Sequence, residues 1–130
     1  FYSSVDVREL TEENATRAAI LSALAALQAE ATPEDVVLVF LAGHGVPDPN
    51  QPDAAGGRNY FFVSHDADAT GRRLASTAVP YSEIVRLVTN APGRRMVFLD
   101  TCYPGLVADP DINGFVNAWG SKGVYVAAAT

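Results

Sequence analysis

Residues 96–105 read MVFLDTCYPG, and this stretch decides the fold. A run of four apolar residues leads into Asp100 and the chain's only cysteine, Cys102, and a Pro-Gly turn follows at once. A short apolar run closed by turn residues is typical of a strand buried on both faces, as in a parallel sheet. Cys102 is therefore expected at a carboxyl strand end, where open α/β folds bind their ligands.

A second stretch has the same shape. Residues 36–42 read VVLVFLA and lead directly into Gly43-His44-Gly45. If the two strands are parallel, His44 and Cys102 face each other at one edge of the sheet. A thiol beside an imidazole is the minimal set of catalytic groups of a cysteine protease. The flanking glycines permit unusual backbone angles and close approach of a substrate.

Length and composition bound the possible functions. The 130 residues suffice for at most one domain, and a hydrophobic content of 48% excludes a disordered or fibrous class. No apolar run approaches the roughly 20 residues that span a bilayer, so no membrane partner is expected. A net charge of −6 with only 9 Lys and Arg disfavours nucleic-acid binding. A single cysteine cannot form an internal disulfide, which fits a cytoplasmic location.

The rest of the chain alternates strand and helix patterns, as in a parallel sheet with crossover helices. Strands are predicted over residues 1–10, 36–42, 60–64, 96–101 and 123–129, and helices over 11–31, 80–90 and 112–119. Asn14 or Thr16 is expected to cap the first helix. Residues 46–58, which contain three prolines, and the polar residues 65–76 are predicted to be surface loops.

The residues at the two strand ends suggest chemical roles. Cys102 would be the nucleophile and His44 its base or ion-pair partner. The backbone N–H groups of Gly45 and Cys102 would form an oxyanion hole. Asp100 lies two residues before the cysteine, on the same face of the strand, where it could bind a cationic substrate side chain or cap the turn. A lone cysteine is usually a small buried hydrophobe, but the paired strand ends favour catalysis.

A metal site is not predicted, and no cofactor is expected. The single cysteine and the two histidines lack the spacing of zinc motifs. The acidic pairs Asp66/Asp68 and Asp109/Asp111 could bind calcium as an activator, but they do not follow the EF-hand pattern. Solvated loop carboxylates are the favoured interpretation of both pairs.

The two strand-end motifs resemble those of a known protein family. Asp35-VVLVFLA-Gly43-His44-Gly45, followed by Leu99-Asp100-Thr101-Cys102, resembles the caspase-like cysteine peptidases of family C14, above all the prokaryotic relatives of metacaspases. The separation of 102 − 44 = 58 residues is close to the roughly 50 of caspases. The resemblance implies a three-layer α/β/α fold with a mostly parallel sheet and a His44–Cys102 dyad that hydrolyses peptide bonds. The acid at Asp100 implies a peptide substrate with Arg or Lys at P1.

The sequence departs from this family at two points. Tyr103-Pro104 follows the cysteine where the family often has His-Ser, which could reshape the pocket or the oxyanion loop, although Gly105 is kept. The family's sheet usually has six strands, with the first one central. Residues 1–130 are accordingly expected to be a p20-like portion of the catalytic domain that lacks the first and last strands, completed by preceding sequence or by a separate chain.

Two alternatives belong to other functional classes. One is a catalytically silent caspase-like scaffold or interaction module, which the Tyr103-Pro104 departure favours and the presence of both dyad residues disfavours. The other is a nucleotide-binding α/β domain. That function needs a glycine-rich loop after the first strand, and the sequence shows none.

Overall fold

The computed structural model describes residues 2–52, 58–68, 73–102 and 119–129. Its helices are a 3-10 turn at Glu12–Asn14, α1 (Arg17–Glu30), α2 (Leu74–Thr77) and α3 (Tyr81–Asn90). Its strands are β1 (Val36–Pro52), β2 (Arg58–Val63), β3 (Val79–Pro80), β4 (Arg94–Cys102) and β5 (Val124–Ala129). They form one five-stranded sheet in the order β3-β2-β1-β4-β5.

Helix α1 begins where its capping chemistry requires. The Thr16 side chain accepts a hydrogen bond from the Ala19 backbone N–H at 3.2 Å, which satisfies one of the free donors of the first turn. Thr16 is therefore the cap, and the residues before it form the separate 3-10 turn. Ile20 and Leu24 are the buried residues of α1. No helix in the described ranges is long and apolar enough to cross a membrane.

Strand β1 is the centre of the sheet and is longer than the sequence predicts. Its first half is parallel to β4, and its second half, from His44 onward, pairs antiparallel with β2. The prediction of a loop over residues 46–58 is therefore wrong through Pro52. In the described residues the β1–β4 register ends at His44 and Cys102, so only β2 pairs with β1 beyond this point, and a missing N–H is tolerated on an edge that makes no pairing. A register shift between Asp48 and Pro52 accommodates the irregularity.

The predicted parallel arrangement is confirmed for the centre of the sheet. β1 pairs parallel with β4, and β4 pairs parallel with β5. The pairings of β2 with β1 and β3 are antiparallel, so the sheet as a whole is mixed rather than mostly parallel. The predicted helix over residues 112–119 lies outside the described residues apart from Trp119.

The prediction of a strand at the N-terminus is wrong. Residues 2–10 form neither helix nor strand, and Val5 and Val7 are 83% and 77% exposed. Alternation alone does not make a strand, because a strand needs a neighbour for its backbone hydrogen bonds. The edge of Val36–Gly43 that faces away from β4 has no strand beside it in the described part of the chain.

The two faces of the sheet differ sharply. One face packs against α1 and α3, and its central side chains, Val37, Val39, Leu41, Val97 and Leu99, are all buried. On the other face, which we call the open face, Leu38 is 55%, Phe40 62% and Tyr125 73% exposed. The described residues thus form one helical layer and the sheet. The second helical layer expected for a three-layer fold is not among them.

Arg95 has a structural role that the sequence does not suggest. Its Nη1 donates to the backbone carbonyls of Thr89 at 2.6 Å and Ala91 at 3.2 Å, at the end of α3. A cation at a helix C-terminus satisfies free carbonyls and interacts favourably with the helix dipole. Arg95 thus stabilises the end of α3, whereas its neighbour Arg94, the first residue of β4, is exposed.

Candidate active site

The two predicted catalytic positions meet at the end of the parallel pairing. His44 of β1 is in register with Cys102 of β4, and this is the last pair of the β1–β4 register. Residues in register on adjacent strands lie on the same face of a sheet, with their Cα atoms about 5 Å apart. The third predicted residue, Asp100, is exposed and in register with Ala42, two positions earlier. The strand geometry therefore brings all three positions to one end of the sheet.

The site is at the open face. His44 is exposed and follows Leu38, Phe40 and Ala42 at alternate positions of β1, all of which are exposed as well. Gly45, which the sequence predicts as an oxyanion donor, is buried. Tyr103 and Pro104, which distinguish this chain from the family pattern, and the retained Gly105 lie outside the described residues.

The glycines that flank His44 make room for aromatic rings of β2. Gly43 has φ +155°, and a Cβ placed on it would lie 3.1 Å from the end of the Phe62 ring. A Cβ on Gly45 would overlap the hydroxyl of Tyr60. The close approach that the sequence suggested for a substrate is thus made by two side chains of the protein itself. Tyr60 and Phe62 are two residues apart, as are the glycines, so both rings lie on one face of β2.

An aromatic cluster continues behind the site. Tyr60 donates a hydrogen bond from its hydroxyl to Thr101 Oγ1 at 3.2 Å, and its ring meets the ring of Tyr81 edge-on at 4.9 Å. Tyr81 meets Trp119 edge-on at 6.1 Å. Burial raises the pKa of the Tyr81 hydroxyl far above its usual range, so this group stays protonated. Trp119 is 1% exposed, so its side chain lies within the core.

Sequence reasoning did not identify Tyr60, Thr101 or Tyr81 as parts of this region. The one usable signal was the match between Gly-x-Gly at residues 43–45 and Tyr-x-Phe at residues 60–62. Two glycines in one strand and two aromatic residues at the same spacing in another indicate that the two strands are neighbours, with the rings of one packed against the backbone of the other. The signal was missed because the prolines after Gly45 predicted a loop instead of a strand beside β2.

The acidic residues near β2 have structural partners. Asp66 Oδ1 accepts hydrogen bonds from the Arg17 backbone N–H and from Ser64 Oγ, each at 2.8 Å. The hydrogen bond from the Arg17 N–H, followed by that from Ser64, holds the Asp66 pKa below its ordinary value. Asp109 and Asp111 are not among the described residues. Within the described ranges, no group of three or more His, Cys, Asp or Glu side chains could hold a metal ion.

The sequence of this chain matches a known protein family. Residues 3–124 match the family model described as the caspase domain of peptidase family C14. The chain belongs to the caspase-domain family. This membership agrees with the fold, in which the parallel register of β1 and β4 ends at His44 and Cys102, and it supports a cysteine peptidase as the general class of activity.

One solved structure is similar in fold to this caspase-family chain. It is the crystal structure of protein GSU0716 from Geobacter sulfurreducens, with a TM-score of 0.56 and 23% sequence identity. The alignment covers 84% of this chain but only 37% of the Geobacter protein, so this chain spans little more than a third of that neighbour. No curated protein sequence is significantly similar to this chain.

Proposed function

We propose that this caspase-family chain carries the catalytic dyad of a cysteine endopeptidase that cleaves after Arg or Lys. The observation that supports the dyad best is the register of β1 and β4, in which His44 and Cys102 are partners. The two strands place an imidazole-bearing residue and the only thiol of the chain at adjacent positions of one sheet end. Adjacency of this kind lets an imidazole lower the pKa of a thiol and keep it reactive.

The proposed reaction has two steps. The thiolate of Cys102 attacks the carbonyl carbon of the scissile bond, and the backbone N–H groups of Gly45 and Cys102 stabilise the oxyanion. The C–N bond breaks as the His44 imidazolium gives its proton to the leaving amine, which leaves an acyl-enzyme on the sulfur. A water molecule, deprotonated by His44, then attacks the acyl carbon. The acid product loses its proton to solvent and departs as a carboxylate, and the Cys102 thiolate and His44 imidazolium are restored.

Asp100 is the proposed reader of the P1 side chain. It lies two positions before Cys102 on the same strand, it is exposed, and the chain as a whole carries a net charge of −6. A carboxylate in this place can accept charge-assisted hydrogen bonds from a guanidinium or ammonium group. A substrate with Asp at P1 would be repelled there.

The proposal also includes the rest of the domain. The edge of Val36–Gly43 that faces away from β4 has no strand partner in the described ranges. On the open face, Leu38 and Phe40 are more than half exposed. Unpaired edges and contiguous apolar faces are costly in water. A further segment of the caspase domain, in the same or a separate polypeptide, would pair with this edge and cover this face.

Covalent labelling tests the dyad. Peptidyl ketone probes with Arg or with Asp at P1 are added to the protein, iodoacetamide serves as a general thiol reagent, and adducts are read by intact mass. Because Cys102 is the only cysteine, a mass shift reports that residue alone. We expect the Arg probe to label fast and His44→Ala to abolish this labelling. Labelling by iodoacetamide but by neither peptide probe would contradict the peptidase proposal and favour a silent scaffold.

The specificity of the site is tested by Asp100→Asn, which keeps the shape and removes the charge. Loss of a hydrogen bond to a charged partner is expected to cost about tenfold to a hundredfold in the labelling rate of the Arg probe. The rate with iodoacetamide should change little, since that reagent has no P1 side chain. Equal losses with both reagents, or a wild-type preference for the Asp probe, would show that Asp100 does not read P1.

A further inference from the structure

Tyr60 joins the two strand ends that carry the proposed dyad. Its hydroxyl donates to Oγ1 of Thr101, the residue directly before Cys102, at 3.2 Å. The same hydroxyl lies where a Cβ would stand on Gly45, the residue directly after His44. One phenol group is therefore in contact with both neighbours of the dyad, from the side of the sheet that packs against the helices. Thr101, its hydrogen-bond partner, is 8% exposed and lies in this buried region.

The hydrogen bond of Tyr60 lies where the described pairing of β1 with β4 ends. The parallel register of β1 and β4 runs from Val36 and Arg94 up to His44 and Cys102, and there it stops. From His44 onward, β1 continues in antiparallel register with β2. His44 is thus at a fork of the sheet, in register with Cys102 on one side and with Val63 on the other, and His44–Cys102 is the last pair of the described β1–β4 register. End pairs of a ladder open more readily than internal ones because fewer contacts must break.

The ring of Tyr81 packs against the ring of Tyr60. Tyr81, the first residue of α3, is 4% exposed and meets the Tyr60 ring at 4.9 Å with an interplanar angle of 75°. Edge-to-face aromatic pairs of this kind have a defined geometry, and a buried partner restricts the ring further. On its other side, Gly45 provides the space for the hydroxyl. The position of the phenol is therefore set by the core and not by solvent.

We infer that Tyr60 is a positioning residue of the active site, whose hydroxyl fixes the end of β4 at Thr101 relative to β1 at Gly45 and thereby sets the spacing of His44 and Cys102. The inference rests on the proposed peptidase function, which supplies the reason for a fixed spacing. Tyr60 acts through Thr101 and the backbone at Gly45, and it touches neither the substrate nor the reacting atoms. Displacements of about 1 Å between reacting groups can lower rates by up to a hundredfold.

The test uses two variants that each remove one partner of the hydrogen bond. Tyr60→Phe keeps the ring and removes the hydroxyl, and Thr101→Val keeps the shape and removes Oγ1. We expect each variant to lower kcat on an Arg-P1 peptide by about tenfold, with KM nearly unchanged. Because both act through one bond, the double variant should lose little more than either single variant. Tyr2→Phe, at a tyrosine that is 64% exposed, is the matched control and should keep full activity.

A second readout separates this inference from the peptidase proposal. The pH dependence of Cys102 alkylation by iodoacetamide reports the coupling of thiol and imidazole and needs no turnover. His44→Ala should move this profile to higher pH, and Tyr60→Phe should move it part of the same way, with a melting temperature close to that of Tyr2→Phe. If His44→Ala shifts the profile but Tyr60→Phe does not, or if the two losses in kcat simply multiply, the inference is wrong and the dyad stands. If His44→Ala has no effect, the dyad itself is refuted, and the role of Tyr60 with it.

Discussion

At the scale of single residues, the glycine after His44 is fixed by a side chain that is distant in the sequence. Gly45 lies beneath the Tyr60 hydroxyl, and no larger residue fits there unless that ring moves. The ring cannot move freely because Tyr81 packs against its other side. The glycine is therefore required by packing, independently of any role of its N–H group in an oxyanion hole.

This packing predicts the effect of Gly45→Ala. The added methyl group should force the Tyr60 ring away and lower the free energy of unfolding by about 1–3 kcal/mol, the usual range for an overpacked core. Gly120→Ala is the matched control, because a Cβ at Gly120 has no atom within 4 Å. Urea denaturation of the two variants makes the comparison. Similar midpoints for both would contradict the described position of the Tyr60 ring.

The sequence predicts the proximity of His44 and Cys102 better than it predicts the surroundings of these two residues. His44 and Cys102 each follow an apolar run, and the parallel pairing of such runs requires only that they be neighbours in one sheet. Tyr60 could not be predicted in the same way. Its position depends on the antiparallel pairing of β2 with the proline-containing half of β1, and the prolines of that half predict a loop, which obscures the matching spacing of the glycines and the aromatic residues.

At the scale of elements, a carboxylate joins the segment after β2 to the start of α1. Asp66 accepts the hydrogen bond of the Arg17 N–H, and the His65 N–H donates to the Ala15 carbonyl at 2.9 Å. Arg17 is the first residue of α1, so the carboxylate lies at the positive end of the helix dipole. The sequence predicts these residues to be a solvated acidic loop, but in the structure they also connect the start of α1 to the segment that follows β2.

This contact predicts a pH dependence of stability. The Asp66 pKa is held below its ordinary value of 3.8 in the folded protein, chiefly by the hydrogen bond from Arg17. The folded state therefore binds the Asp66 proton more weakly than the unfolded state does. The resulting stabilisation is complete above about pH 4 to 5 and is lost as the pH falls through the lower, folded pKa. Asp66→Asn should be less stable than wild type at pH 7, and the difference should vanish in acid.

Thermal melts between pH 7 and pH 2 measure this difference. Asp35 offers a comparison at the other end of α1, because hydrogen bonds from the Thr32 backbone N–H and hydroxyl lower its pKa in the same direction. Asp35→Asn should therefore also be less stable than wild type at pH 7, and this difference in stability should also vanish in acid. The effects of the two substitutions should add, since the two sites share no partner. A difference between wild type and Asp66→Asn that stays constant down to pH 2 would mean that the charge of Asp66 does not stabilise α1.

At the scale of the whole molecule, the apolar residues of the open face determine how the 130-residue chain should behave in solution. Leu38 and Phe40 of β1 and Tyr125 of β5 are exposed on the same side of the sheet, on the two strands that flank β4. A contiguous apolar patch beside a free strand edge favours association with another apolar surface. The N-terminal residues do not cover it, because Val5 and Val7 are themselves exposed.

Phe40→Lys tests the open face. We expect the chain of residues 1–130 to self-associate and to bind a hydrophobic dye, and we expect this substitution to reduce both effects. Val5→Lys is the control, because Val5 is 83% exposed but lies outside the sheet. Sedimentation velocity and dye fluorescence give the two readouts. A stable monomer that melts cooperatively and binds no dye would contradict the proposal that a further segment of the domain covers this face.

Trp119 gives the protein an optical probe of its own. It is the only tryptophan in the chain, it is 1% exposed, and its ring adjoins that of Tyr81. A buried indole emits at shorter wavelengths than a hydrated one, so the emission maximum should shift to the red when this part of the core opens. Since Tyr81 in turn adjoins Tyr60, the same signal follows the packing behind His44 and Cys102 during unfolding, without an added label.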